Sequence, residues 1–181
     1  MHRKGFTIVE LLMVVGILGV LMTIVTTAAT GAIKQARARR ADALVAMVQS
    51  GIATYYAQND EWPDFDPEGK RGSSSDNPDV YVLTNDESNR VVRKLVTKSV
   101  QDKNPLLDIT GLFVADARNS INDRTYGMDF NTAIHGTKKH PKKLNQVSAM
   151  AFGYPDTETG RFRYFKMTYS IPADQLTVSK Q

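Results

Sequence analysis

Hydrophobic and polar positions divide the first third of the chain into two patterns. Across residues 11–33 there is no charge at all, and almost every position is apolar or small. From Lys34 to Gln58 the apolar positions recur every three or four residues instead. Ala41, Leu44, Val48, Ile52 and Tyr55 share one helical face, while Lys34, Arg37, Arg40 and Gln49 mostly fall elsewhere. No proline occurs between Phe6 and Trp62, so nothing forces a break. Together the patterns predict one helix of some fifty residues, ~80 Å long at ~1.5 Å per residue. Its first half is oily all round; its second half has one face to bury. Gly16, Gly19, Gly31 and Gly51 each weaken it by about 1 kcal/mol relative to Ala. They either let helices approach closely or mark places where the helix bends.

At Asn59 the composition changes. "NDEWPDFDPEGKRGSSSDNPD" (59–79) is rich in Pro, Gly, Ser and Asp and predicts a long surface loop. "NDESNRVVRKLVTKSV" (85–100) predicts a second, short helix, capped at Asn85 or Ser88 and apolar at Val91, Val92, Leu95 and Val96. "LLDITGLFVADA" (106–117) suits one or two brief strands. The clearest hairpin places "SAMAFGY" and "RFRYFKMTYSI" on either side of "PDTETG" (155–160), with Phe165, Met167, Tyr169 and Ile171 alternating onto one face. The predicted fold is α+β: a long helix laid over a small antiparallel sheet. Trp62, beside Pro63, is expected to cover the end of the long helix as a packing residue.

Composition adds limits. With 181 residues, 41% of them hydrophobic, the chain has room for one ordinary domain and an attached apolar element. The net charge of +4 and pI near 9.3 look basic. Two of those charges, Arg3 and Lys4, precede the apolar run, and the nearly balanced remainder does not argue for nucleic acid. Cysteine is absent, which excludes disulfides and Cys-based metal or nucleophile chemistry.

A helix needs roughly 20 apolar residues to cross ~30 Å of hydrocarbon, so residues 11–33 suffice for one span. Three readings compete for it. A secretory signal peptide would be cut after the apolar region, where "TTAATGA" (26–32) offers small residues. A plain signal anchor would stay uncut and has no use for Glu10, the one acid near the start. In the third reading the cut falls before the apolar region, between Gly5 and Phe6. Glu10 favours the third. A carboxylate in a membrane helix costs up to about 2.5–3.5 kcal/mol near the centre and less near the interface. A cut after Gly5 would give Phe6 a positive α-amino group about 6 Å along the helix from Glu10. The acid can then pair with its own terminus or with that of a neighbouring copy. Such a pair sets register, because a slipped neighbour leaves a buried charge unpaired.

The string "RKGFTIVELLMVVGILGVL" (3–21) resembles the processing and methylation segment of type IV prepilins and type II secretion pseudopilins: a short basic leader, Gly, Phe, Thr, then Glu four residues after Phe. The resemblance implies that a prepilin peptidase of the bacterial inner membrane cuts after Gly5 and methylates the amine of Phe6. It implies that Glu10 guides docking of subunits into a homo-oligomeric helical filament. An inner-membrane assembly platform is the further partner it implies. On this reading residues 1–5 are a leader, 6–33 the transmembrane half of the helix, 34–58 its amphipathic half and 59–181 a globular periplasmic head. The chain is a substrate of processing and not an enzyme. The likeness of the head is one of architecture, without residue matches beyond Asp60. The missing disulfide loop leans toward a pseudopilin over an adhesive pilus subunit. A count of Lys34, Arg37, Arg39 and Arg40 after the span against Arg3 and Lys4 before it would put the C-terminus in the cytoplasm. The resemblance implies the reverse, because the peptidase needs Gly5 at the cytoplasmic face. The four basic residues would then meet lipid head groups or acidic neighbours in the filament.

Clusters in the head are weaker. Asp64, Asp66 and Glu68 alternate before Gly69 like the first half of a calcium loop, but the twelfth position is Ser75 and no helices flank it. Calcium is the candidate ion there, and a solvated acidic loop the better expectation; no other cofactor is called for. "KKHPKK" (138–143) could touch DNA or lipid phosphates, yet it lacks aromatic spacing and reads as a solvated loop. His2, His135 and His140 are scattered and form no set with Asp and Ser that suggests a nucleophile and base. The alternative of another class is a periplasmic binding module, released by an ordinary signal peptidase near Ala29 or Ala32.

Overall fold

The computed structural model describes residues 7–68, 79–101, 105–122, 124–135 and 146–181. It contains two compact units, Met1–Ala36 and Arg37–Gln181. The first helix, α1 (Ile8–Asn59), contributes to both. Asp60 ends it: its φ of 55° is left-handed, and its N–H donates back to Tyr56 O at 2.8 Å.

Within the second unit α1 buries Ala41, Leu44, Val48, Gly51, Ile52 and Tyr55, the face that its periodicity predicts. Gly51 is a close-approach glycine. A Cβ there would stand 3.2 Å from Leu107 Cδ2 and 3.3 Å from Leu106 O, so the 106–107 backbone lies on the helix itself. Around Gly16, Gly19 and Gly31 an added Cβ meets nothing within 4 Å.

The remaining elements follow in chain order: β1 (Val80–Val82), α2 (Asn85–Gln101), β2 (Phe113–Asp116), β3 (Met128–Asp129), α3 (Phe130–His135), β4 (Met150–Pro155), β5 (Phe162–Tyr164), β6 (Lys166–Ser170) and β7 (Gln175–Ser179). The helix expected over 85–100 is α2, buried through Val91, Val92, Leu95 and Val96. Its cap is neither Asn85 nor Ser88 but Thr84. Thr84 Oγ1 accepts from Glu87 N at 3.3 Å, and Glu87 Oε2 accepts from Thr84 N at 2.8 Å. This reciprocal capping box outcompetes a cap at Asn85 because it satisfies two backbone donors at once.

All strand pairs are antiparallel, in two sheets of order β1-β6-β7 and β3-β2-β4-β5. The single predicted sheet is therefore two, and the second arm of the predicted hairpin divides between them. β5 pairs with β4, Phe165 turns the corner, and β6 joins β1 and β7. The alternation of Phe165, Met167 and Tyr169 into the core holds, with Ile171 only partly buried. Period-two burial encodes which face is apolar but carries no information on the partner strand, so a bend that switches sheets leaves it intact.

Trp62 packs on the end of α1 as expected. Its ring stacks on Tyr56 at 4.1 Å and meets Tyr169 edge-on at 6.3 Å, while Nε1 donates to Asp174 Oδ1 at 3.3 Å. Two of the four basic residues after the apolar run are engaged within the second unit. Arg37 donates to Glu158 O at 2.9 Å; Arg40 forms an ion pair with Asp129 and lies 5.2 Å over the Phe113 ring. The C-terminus is tied down as well. Tyr154 Oη accepts from Gln181 N at 2.6 Å and donates to Gln181 O at 3.2 Å. The bond that Tyr154 donates needs the neutral phenol, and burial pushes Tyr154 above its ordinary pKa.

Inside the four-stranded sheet, Phe113 and Phe162 stack at 6.3 Å, with Gly153 on β4 leaving room for Phe162 and Gly127 for Phe113. A Cβ at Gly153 would collide with the Arg163 backbone and come within 2.7 Å of Phe162 Cζ. Gly153→Ala is expected to cost about 3 kcal/mol, the upper range for overpacking a core. Gly111→Ala, where the nearest atom would be Asp108 Oδ2 at 3.8 Å, should stay within about 0.5 kcal/mol of the parent. Thermal unfolding of the two variants makes the comparison.

Candidate functional site

The first unit is built from residues that water does not favour. Ile8 is 82% exposed, Leu12 70% and Met22 75%, and the other large side chains from Val9 to Val25 are likewise exposed. A helical segment this long and apolar is long enough to cross a membrane. Its polar atoms are handled accordingly. Thr23, Thr26, Thr27 and Thr30 each donate their hydroxyl to a carbonyl three or four residues back, Thr23 to Gly19 O at 3.0 Å and Thr26 to Met22 O at 2.8 Å. The threonines in the span thus carry no unmet donor into oil.

The helix begins at Thr7 and Glu10. Thr7 N and Thr7 Oγ1 both donate to Glu10 Oε2 at 2.9 Å, and Glu10 N donates to Thr7 Oγ1 at 3.2 Å. This is a second capping box: "TIVE" (7–10) and "TNDE" (84–87) start the two longest helices with the same chemistry. The carboxylate also sits in the first turn, where the helix dipole favours negative charge. Oε1 accepts no hydrogen bond from the described residues, which leaves one oxygen of Glu10 for another donor. Thr7 is the participant that the reading of Glu10 overlooked. The Thr-x-x-Glu spacing ahead of an apolar run is the signal that would have found it.

Gly5 and Phe6, the expected cleavage and methylation positions, lie outside the described residues, as do His2, His140 and the basic run at 138–143. Asp64, Asp66 and Glu68 are described and do not form a cage. Asp66 Oδ1 accepts from Glu68 N at 2.9 Å in a local turn, and Asp64 has a φ of 51°. Among the described residues no group of three or more His, Asp or Glu is placed to hold a metal ion. His135 ends α3.

Residues 1–26 match the family model of the prokaryotic N-terminal methylation motif. That match covers the N-terminal segment, and the relatives the chain resembles are pilus proteins. Over 97 residues it is 30% identical to a fimbrial protein of Neisseria meningitidis, covering 54% of this chain and 57% of that one. Over 90 residues it is 31% identical to the type IV major pilin protein PilE1 of Neisseria gonorrhoeae, covering 50% of this chain and 42% of that one. The chain thus spans about half the length of the curated relatives it matches. No solved structure matches it significantly. The long N-terminal apolar helix and the antiparallel sheets are consistent with a pilin-like α+β fold.

Removing the Thr7 hydroxyl tests the box. Thr7→Val should weaken the start of α1 by about 1 kcal/mol and speed exchange of the Glu10 amide about fivefold. Hydrogen exchange followed by NMR in detergent micelles gives the measurement.

Proposed function

We propose that this chain is a structural subunit of a type II secretion pseudopilus or a type IV pilus-like filament. A prepilin peptidase cuts it after Gly5 and methylates Phe6. The subunit waits in the inner membrane with its head in the periplasm, and an inner-membrane platform then stacks it into a helical filament. The observation that supports this reading is the methylation motif over residues 1–26 at the head of a helix whose apolar first unit is exposed on every side. Exposed apolar surface on that scale calls for lipid before assembly and neighbouring helices after it. The named relatives are pilus proteins, so the preference for the secretion machine rests on the absence of cysteine.

Contacts of the basic residues beyond the span bear on the orientation. Arg40 is paired with Asp129, and Arg37 donates to the main-chain carbonyl of Glu158, so the count of basic residues beyond the span overstates the charge facing a membrane by at least one. That supports a periplasmic head. Glu10 supplies the assembly contact. Its Oε2 is held by Thr7, and its Oε1 is offered to the amine of Phe6 in a neighbouring copy.

Mass spectrometry of the mature protein from native cells is expected to show a methylated Phe6 as first residue. A start near Thr30 or Ile33 would instead mean release by ordinary signal peptidase and a periplasmic binding module. Glu10→Ala should be cleaved normally and yet fail to assemble, or assemble at a small fraction of the parent's yield in a shear-and-pellet assay. Unchanged assembly would remove Glu10 from the mechanism.

A further inference from the structure

The order β1-β6-β7 makes β7 an outer strand, with one row of backbone groups turned away from β6. Such an edge is a template for another strand. Gln49 of α1 occupies it. Val178 N donates to Gln49 Oε1 at 2.7 Å, and Gln49 Nε2 donates to Leu176 O at 3.1 Å. One carboxamide therefore meets the carbonyl and the N–H that flank Thr177. In a parallel ladder, the N–H and C=O of a single residue on an added strand would bond this pair.

Gln49 is the middle of three rungs. Asp42 Oδ1 lies 2.6 Å from Lys180 Nζ, and Tyr56 Oη donates to Asp174 Oδ2 at 3.1 Å. The rungs at 42, 49 and 56 are seven residues apart on the helix, about 10.5 Å. Their partners, Lys180 just after β7, residues 176–178 within it and Asp174 just before it, step by three residues, about 10 Å of extended chain. The two spacings agree, so α1 runs antiparallel to β7 and a polar side chain reaches the strand at each repeat. This stripe is separate from the buried face of Ala41, Leu44, Val48, Ile52 and Tyr55.

We propose that Gln49 is a strand surrogate: its carboxamide closes the β7 edge to a second copy of this chain, which would otherwise add a strand there in parallel. The inference holds whichever filament the subunit builds. A chain designed to polymerise reaches high local concentration, and self-association through the wrong surface competes with self-association through the helix.

The test uses the full chain in detergent micelles. Gln49→Met keeps the volume and removes both hydrogen bonds. It should speed exchange of the Val178 amide at least tenfold while the amides of α2 and β4 keep their protection, and it should raise thioflavin-positive, pelletable material well above the parent's. Gln49→Glu keeps an acceptor for Val178 and puts a charge at the edge. It should retain Val178 protection and stay at the parent's level of thioflavin signal. Unchanged Val178 exchange in Gln49→Met, no rise in its thioflavin signal, or equal self-association of the two variants would each overturn the proposal. If Gln49→Met fails to fold, slowed or unchanged Val178 exchange in Gln49→Glu sustains the proposal, and loss of that protection overturns it. Repeating the measurement with Glu10→Ala separates this from the assembly reading, because the edge effect should persist when filament contacts are gone.

Discussion

Burial of one face of α1 is the contact on which the second unit depends. Ala41, Leu44, Val48, Ile52 and Tyr55 enter a core shared with Val91, Val92 and Leu95 of α2 and with Met167 and Leu176 of the three-stranded sheet. A buried Leu, Val or Ile is worth about 1.5–3 kcal/mol, so Leu44, Val48 and Ile52 together outweigh any single hydrogen bond described above. Gly51 belongs to the same contact. It brings Leu106 and Leu107 onto the helix backbone and leaves no room for a larger residue without local movement.

The same helix meets a different requirement before Lys34. There the apolar side chains have no protein partner in the single chain, and the problem becomes the polar atoms. The threonines return their hydroxyls to the helix backbone. Glu10 is half-satisfied by Thr7. A charge in an apolar helix is tolerable when its partner is at hand, and the unengaged oxygen then becomes a specific demand on whatever packs beside it.

Much of this was legible in the residues. The long helix, its buried face, α2 and the apolar alternation of Phe165, Met167 and Tyr169 follow from periodicity, which reports burial directly. The division into two sheets was not legible, because pairing partners are set by packing far along the chain. β7 was missed for a related reason: QLTVS has only two apolar side chains, and its edge is completed by Gln49, more than a hundred residues away. At the candidate site, Glu10 stood out as a lone acid in an apolar run. Thr7 did not, because a hydroxyl is unremarkable until its spacing to Glu10 is read as a cap. At Asp64, Asp66 and Glu68, where the alternating acids read as a solvated loop in preference to a calcium site, Asp66 is engaged in a local turn.

Asp174 lies where two distant parts of the chain meet, accepting from Tyr56 and Trp62 at the end of the helix and from Tyr169 on β6 beside its own turn. Trp62 is the chain's sole tryptophan. Its fluorescence therefore arises at the seam between helix end and strand turn, giving an intrinsic optical signal for whether that seam is closed, with no label attached.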